Sequence, residues 1–556
     1  IMNRETELRY SEVPQIHKPR SKFKVEFSHL TSFDAADCVP IFCEEVLPGD
    51  SIRLDMSAVV RMSTPLFPTM SNAVMDCFFF FVPDRLLWTH WKEFWGENTN
   101  AWYQTIDYSV PQLKTSDMYK FEPKTVADYL GLPSDIPNLS VNALPFRAYV
   151  KIWNDWFRDE NLQQEAPMVT TDADAYYDST YAYLGGALLK ANKLHDRFTS
   201  SLPSPQKGPS TTIPLGSVAP VYATSENIPN KTTFGTATLD TLKWRTIGTN
   251  LLDGEKLYGL AGQTISGGTS MTKTLAGEEL TADDINGTQL SPRNLWTDLS
   301  NATASTISDL RLAFQIQRYY EALSRSGSRY IEWLKAVFNV TSPDARLQRS
   351  EYLGGRRIPI EMYQTVQQSS TTETSPLGQT GAFSHTADKT HYFTKSFTEH
   401  GIIIGIATVR YYHIYQQGVP RMFLRKKWYD YYIPQFANLS EQPVYVKEIY
   451  AQGTANDDAV FGYQEAWSEY RMRTNMTSSA MKSTYSGSLD AWHYGDYYES
   501  QPSLSASWIA EDKTVIDRTL ALSSTVENQF IGDFYFKGEY VRQMPLYSVP
   551  GLIDHL

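Results

Sequence analysis

The sequence predicts a mainly β protein: one discontinuous β-sandwich carrying long helical and loop insertions. Three observations predict it. Ser51–Met62 alternates strictly, with Ile52, Leu54, Met56, Ala58, Val60 and Met62 on one side and Arg53, Asp55, Ser57 and Arg61 on the other, as a half-buried antiparallel strand requires. Cys77–Val82 is an unbroken apolar run containing Phe78, Phe79, Phe80 and Phe81. Side chains on a strand point alternately to opposite faces, so this run has no face suited to water and must lie between layers or subunits. Finally, strand-like segments come early and late in the chain, with helices and long excursions between them. A doubly wound α/β fold would instead alternate strands with helices regularly.

Taken in order, residues 17–28 (HKPRSKFKVEFS) alternate, placing Lys18, Arg20, Lys22 and Lys24 on one side and Phe23, Val25 and Phe27 on the other. Leu47-Pro48-Gly49-Asp50 is a turn signal. Strand 51–62 follows, then the strand containing the Phe run. Pro83 ends that strand, and Asp84 is placed to cap a helix whose Leu87, Trp88, Trp91, Phe94 and Trp95 recur at helical spacing. A second aromatic helix is expected over 145–160, with Pro145 in its first turn and a stripe of Phe146, Tyr149, Val150, Trp153 and Phe157.

Between 206 and 305 the texture changes. Only Tyr222, Phe234, Trp244, Tyr258 and Trp296 are aromatic there, and Thr, Gly and Ser dominate. An elaborate excursion is expected, with Ser266, Gly267, Gly268 and Thr269 at a solvent-facing tip. Helix returns at 306–324 and again over Arg329–Phe338. Residues 366–390, rich in Ser, Thr and Gln, read as a surface loop. The remaining strands are expected at Gly401–Tyr415, Val444–Tyr450 and Val526–Val541. The resulting divisions are 1–50 as arm and lead-in, 51–205 as the first part of the sandwich, 206–305 as the surface insertion and 306–556 as helices and remaining strands.

Composition narrows the function classes. Aromatic residues make up 13% of the 556 and charged residues only 20%, which supports a large core and leaves Tyr and Trp for interfaces. The net charge of −12 argues against a chain that coats nucleic acid over its whole surface. Three cysteines, Cys38, Cys43 and Cys77, build no disulfide framework and lack the second ligand pair of a zinc site, so buried thiols in a reducing compartment are expected. Neither a signal peptide nor an apolar segment of spanning length is found, and Ile1 precedes a plausible initiator Met2. A soluble protein made in the cytosol, without membrane insertion, is expected.

Enzyme motifs are missing: there is no G-x-S-x-G elbow, H-E-x-x-H, Walker loop or dinucleotide fingerprint. His413, beside Tyr411, Tyr412 and Tyr415, reads as a hydrogen-bonded packing histidine. Glu44-Glu45 and Asp457-Asp458 read as solvated carboxylates. No catalytic residue, metal ligand or cofactor is assigned. Two basic clusters are candidates to face nucleic acid. One is the Lys18/Arg20/Lys22/Lys24 side, which on an inner wall would meet phosphates without reading sequence; its bland alternative is a solvated strand face. The other is Arg421, Arg425, Lys426 and Lys427, interleaved with Phe423, Trp428, Tyr429 and Tyr431. That mixture could grip single-stranded nucleic acid, but a subunit contact is the favoured reading, because aromatics are also interface anchors.

Several blocks carry a family resemblance. They are Val46–Asp50 with the FFFFVPDRLLW run (Phe78–Trp88); His195–Ser200 leading into Leu202–Gly208; Ser342–Arg349 with Glu351–Gly355; Gly462–Trp467; and Met544–His555. In this order, nearly end to end, they resemble the major capsid protein of gokushovirus-type microviruses (Microviridae), which are single-stranded DNA bacteriophages. The resemblance implies an eight-stranded viral jelly roll with long insertions. It implies assembly of identical subunits into a T=1 icosahedral shell around circular single-stranded DNA, in the bacterial cytoplasm. It also implies a small basic packaging peptide and a threefold protrusion engaging a host cell-surface receptor, for which 206–305 is the candidate; at a charge of −12, such a peptide or counterions should do much of the work of neutralising the genome. Phe78, Phe79, Phe80, Phe81, Trp88, Trp91 and Trp95 then become core or interface aromatics that hold a shell together. The competing reading, a secreted carbohydrate-binding or glycan-active β protein, requires a signal peptide and two convergent carboxylates, and the sequence supports neither.

Overall fold

The computed structural model describes residues 19–97, 108–209, 211, 307–372 and 376–547, together with the backbone of seven short strands between 221 and 297. The chain divides into two compact units: Ile1–Lys207 with Glu321–Leu556, and Gly208–Tyr320. Ser266, Gly267, Gly268 and Thr269 lie outside the described residues, as does Lys18.

The first unit is built on eight strands: β1 (Ser21–Phe33), β2 (Val39–Val46), β3 (Ser51–Met62), β4 (Ala73–Pro83), β5 (Glu351–Pro359), β6 (Thr386–Ser396), β7 (Gly401–Tyr411) and β8 (Phe530–Arg542). They form two four-stranded antiparallel sheets, ordered β1-β8-β3-β6 and β5-β4-β7-β2. Strand 1 pairs with 8, 2 with 7, 3 with 6 and 4 with 5. These are the pairs of one long antiparallel hairpin rolled up on itself, which is a jelly roll. The tight β2–β3 turn follows its sequence signal. The Asp50 amide donates to the Leu47 carbonyl at 3.0 Å, and Gly49 takes a φ of +90°, which only the residue after Pro48 needs to adopt.

The Phe run explains the layering. Phe79 and Phe81 point between the sheets, where they meet Phe42, Phe393, Phe397 and Phe536. Phe80 and Val82 point the other way, with Ile402, Ile404 and Ile406 of β7. There they are covered by residues of the β4–β5 connection, among them Trp88, Leu113, Phe121 and the helix α1 (Leu144–Ile152) with its buried Phe146, Tyr149 and Val150. A strand with two apolar faces is thus a strand between two cores. Phe79 has room because Gly405 stands opposite it: a Cβ there would lie 2.6 Å from the Phe79 ring and 2.9 Å from Phe42 Cβ. Gly405→Val is expected to cost about 1–3 kcal/mol through overpacking, read as a lower denaturant midpoint. An unchanged midpoint would mean that the two rings can give way.

Several sequence expectations are corrected. The helix over Asp84–Trp95 is broken into a 3-10 turn, Asp84–Leu86, and one α turn, Trp91–Phe94. Asp84 caps nothing with its side chain; burial, with Glu45 and Glu399 nearby, pushes its carboxyl up to about 7. Trp88 is instead held by its indole N–H donating to Asp172 at 2.5 Å, a partner that helical spacing does not reveal. Over 145–160, α1 ends at Ile152 and widens into a π turn, Trp153–Phe157. The loop expected at 366–390 contains a hairpin, Met362–Val366 with Thr380–Ser384, and the start of β6. Val444–Tyr450 is a short strand, Gln442–Tyr445, followed by a helical turn, Val446–Ile449. The Gly401–Tyr415 strand stops at Tyr411, and the last strand begins at Phe530. Two longer helices follow, α2 (Ile307–Ser326) and α3 (Tyr330–Phe338).

A third core, containing Phe198, Tyr415, Val444, Ile449, Phe461 and Trp508, lies within the first unit and draws mostly on the β7–β8 connection. Near it, fully buried His413 donates to Asp496 at 2.7 Å and lies 3.2 Å from Glu511. The cysteines are packed: Cys38 and Cys77 are buried, Cys43 is half-buried, and burial pushes all three thiols up. The second unit contains a three-stranded antiparallel sheet of Tyr258–Gly259, Lys243–Ile247 and Gln289–Pro292, and two further strand pairs. Among the described residues, no helix is long and apolar enough to cross a membrane.

Candidate functional site

Among the described residues, one sheet face is left bare. The outward side of β5-β4-β7-β2 lies under the α1 layer, whereas the outward side of β1-β8-β3-β6 carries polar residues open to solvent. The register places Lys24 beside Glu539 and Arg53, then Glu26 beside Lys537, Asp55 and His391. The next rung sets Ser28 beside Tyr535, Ser57 and Lys389. On this face six cations (Lys22, Lys24, Arg53, Arg61, Lys389, Lys537) stand against four carboxylates (Glu26, Asp55, Asp533, Glu539). Lys22 pairs with Glu539 at 2.8 Å and Lys537 with Glu26 at 3.5 Å. The Tyr535 hydroxyl donates to Glu26 at 2.7 Å and, with Lys537, holds its carboxyl below the usual range. The face is therefore positive in excess within a chain of charge −12. Arg20 is folded back: its guanidinium donates to the Gly49 carbonyl, to Ser51 Oγ and to the Val541 carbonyl.

The second basic cluster lies in the β7–β8 connection, on 3-10 turns Arg421–Leu424, Trp428–Asp430 and Pro434–Phe436. Its guanidiniums are already engaged. Arg421 reaches Glu448 at 3.0 Å and the Pro443 carbonyl at 2.7 Å, while Arg425 reaches Glu469 at 3.3 Å and lies over Tyr470 and Tyr431. Lys427 Nζ sits 5.4 Å from the Tyr429 ring centre. Asp430 accepts the Lys426 and Lys427 amides, both at 2.8 Å, which hold its carboxyl below the usual range. A cleft of about 700 Å³ opens here between Arg421, Lys426, Tyr429, Phe436, Leu439 and Trp467.

Two sequence blocks far apart in the chain interlock beside this cluster. Asp196 accepts the Phe198 and Thr199 amides, both at 2.8 Å, and the Tyr415 hydroxyl at 2.6 Å. Arg197 reaches Glu448 at 2.6 Å with both side chains buried. The Gln464 amide donates back to the Arg197 carbonyl at 2.9 Å and to Ser200 Oγ at 2.9 Å. His195–Ser200 and Gly462–Trp467 thus form one latch, and it holds the wall on which Arg421 sits.

A jelly roll with two buried layers, a bare charged sheet and an exposed aromatic shelf describes a building block rather than a catalyst. Residues 11–552 match the family model described as Capsid protein (F protein). The chain belongs to this capsid-protein family. Among its relatives are Capsid protein VP1 of Spiroplasma virus 4, 39% identical over 96% of each chain, and Capsid protein VP1 of Bdellovibrio phage phiMH2K, 39% identical over 97% of each. Capsid protein VP1 of Chlamydia phage 1 is 36% identical over 98% of this chain and 97% of its own. The microvirus resemblance is therefore shown. The chain is a structural capsid protein of the virion, with no enzymatic role, and it functions by assembling with copies of itself.

Within this capsid protein the quoted aromatics divide by position. Phe79, Phe80, Phe81 and Trp88 are buried in the subunit, Phe78 and Trp91 are half-buried, and Trp95 is exposed and stacked on His400 with ring centres 4.7 Å apart. The sequence did not single out Lys537 or Lys389 as neighbours of Lys24. Arg53 and Arg61 show in the alternation of 51–62, but only strand pairing puts them beside the first strand. Glu448, Glu469, Trp467 and Tyr470 were equally unmarked as partners of the second cluster, because no local spacing links them to 421–436.

Proposed function

We propose that this capsid protein builds a T=1 icosahedral shell around a circular single-stranded DNA phage genome, with the bare face of β1-β8-β3-β6 turned inward. The observation that carries this reading is that face: uncovered among the described residues, and bearing six cations against four carboxylates on a chain that is otherwise strongly acidic. A sequence-independent phosphate contact needs a local positive excess and no reading groove. Lys22 and Lys24 are its arm residues. Lys426 and Lys427 remain secondary genome candidates; Arg425 contributes less, being held by Glu469. With so small an excess, a small basic peptide or counterions do much of the neutralisation. Assembly belongs to the host bacterial cytoplasm, and the 206–305 excursion is the candidate for contact with a host cell-surface receptor.

The test is Lys22→Glu with Lys24→Glu in particles produced in cells. DNA per particle is expected to fall severalfold, with particle yield kept within about twofold. Unchanged DNA content would remove this face from the genome side.

A further inference from the structure

Residues 421–439 expose a run of large apolar side chains. Phe423 is 70% exposed and Trp428 68%, and Met422, Tyr429, Tyr431, Tyr432 and Leu439 are exposed beside them. Contiguous exposed aromatics on a soluble chain mark a contact surface. These rings are also held in place beforehand. Trp428 stacks on Phe436 at 6.1 Å, Tyr432 meets Trp467 edge-on at 5.6 Å, and the Trp467 indole donates to the Phe436 carbonyl at 2.9 Å. A surface fixed in advance loses little freedom on docking.

Charge decides between the two occupants this shelf could take. Five cations (Arg421, Arg425, Lys426, Lys427, Lys447) stand beside four carboxylates (Asp430, Glu448, Asp458, Glu469), and three of the cations are spent in ion pairs, Arg421 with Glu448, Arg425 with Glu469 and Lys447 with Asp458. Polyphosphate binding needs cations free to replace counterions, and few are free here. Two copies of a chain carrying −12 repel through most of their surfaces, so they approach best through a face that is apolar and nearly neutral. We infer that the 421–439 shelf is where a second copy of this chain docks in the shell. The inference rests on the shell reading above. Phe423 and Trp428 are its central anchors, as large rings commonly are in such contacts.

The test uses the full chain. Phe423→Ala with Trp428→Ala is expected to leave circular dichroism and thermal unfolding of the unassembled chain unchanged. The assembled fraction in sedimentation should fall at least tenfold, and binding of a fluorescent single-stranded oligonucleotide should stay within twofold. Normal assembly overturns the inference. So does intact assembly with tenfold weaker oligonucleotide binding, which assigns the shelf to nucleic acid instead. Hydroxyl-radical labelling of the unsubstituted chain guards against a variant that fails to fold. Labelling of Phe423 and Trp428 should drop at least fivefold on passing from unassembled chain to DNA-free particles, and equal labelling overturns the inference. If the unsubstituted chain never forms particles under any condition, the shell reading itself fails; particles in which both rings stay reactive sink only the docking shelf.

Discussion

Phe79→Ala is expected to destabilise the subunit by about 3–5 kcal/mol, the range for deleting a buried ring. The ring has no exposed surface and touches both sheets. Tyr392 meets it edge-on at 4.8 Å, Phe42 at 5.8 Å and Phe393 at 5.9 Å, with Phe536 of β8 at 6.4 Å. Collapse of the cavity is resisted because each of these rings is held in a paired strand, so the transfer and cavity terms add. Phe78→Ala, one residue away on the opposite face of β4, removes a half-buried ring and should cost clearly less. Chemical unfolding of the unassembled chain and the yield of soluble subunit measure the difference. Equal losses for the two variants would contradict the two-core layering.

His413→Ala should be comparably severe, about 3–5 kcal/mol, because it strands two buried carboxylates without their cation. Burial alone would lower the His413 pKa, but Asp496 and Glu511 overcome it and raise it to about 10. The unfolded value is about 6.5. A folded pKa above the unfolded one means the contribution is fully present below about pH 6.5 and is lost as the pH rises through about 10. Thermal unfolding of the native chain should therefore decline across that window. The alanine variant lacks this titrating group, so its thermal unfolding should not show that decline between pH 6.5 and 10. The same pH slope in both proteins between pH 6.5 and 10 would refute the buried triad as a charged unit. Through Asp496 and Glu511, His413 ties the end of β7 to the β7–β8 connection, so its loss should also loosen the wall that carries Arg421.

Much of the sandwich was legible because strands write their faces into the sequence. Ser51–Met62 showed its inner and outer residues outright, and the Phe run could only be a strand between two apolar layers. Where the reading failed, the competing signal was tertiary. Trp88, Trp91 and Phe94 have helical spacing, yet Trp88 is held by Asp172 and the segment folds as two separate turns. The start of β6, Thr386–Thr390, reads as loop: as a sheet edge it turns Ala387 and Lys389 to water, leaving little apolar periodicity to see. Val444–Tyr450 has the composition of a strand, but Glu448 accepts the Tyr445 amide at 3.1 Å and turns the chain into a short helix.

The candidate surfaces divide along the same line. By itself the sequence determined which side chains share a strand face, because a period of two is a local property of the backbone. It also carried the family, through ordered blocks running nearly the whole chain. Which strand lies beside which was decided only in three dimensions. Ser21 pairs with Arg542 across almost the whole chain, and an apolar strand face packs as well against one equally apolar partner as another. That choice put Lys24 in a row with Arg53 on an uncovered sheet. It also brought Glu448 and Glu469 to Arg421 and Arg425, turning what reads locally as a basic stretch into a nearly neutral aromatic shelf.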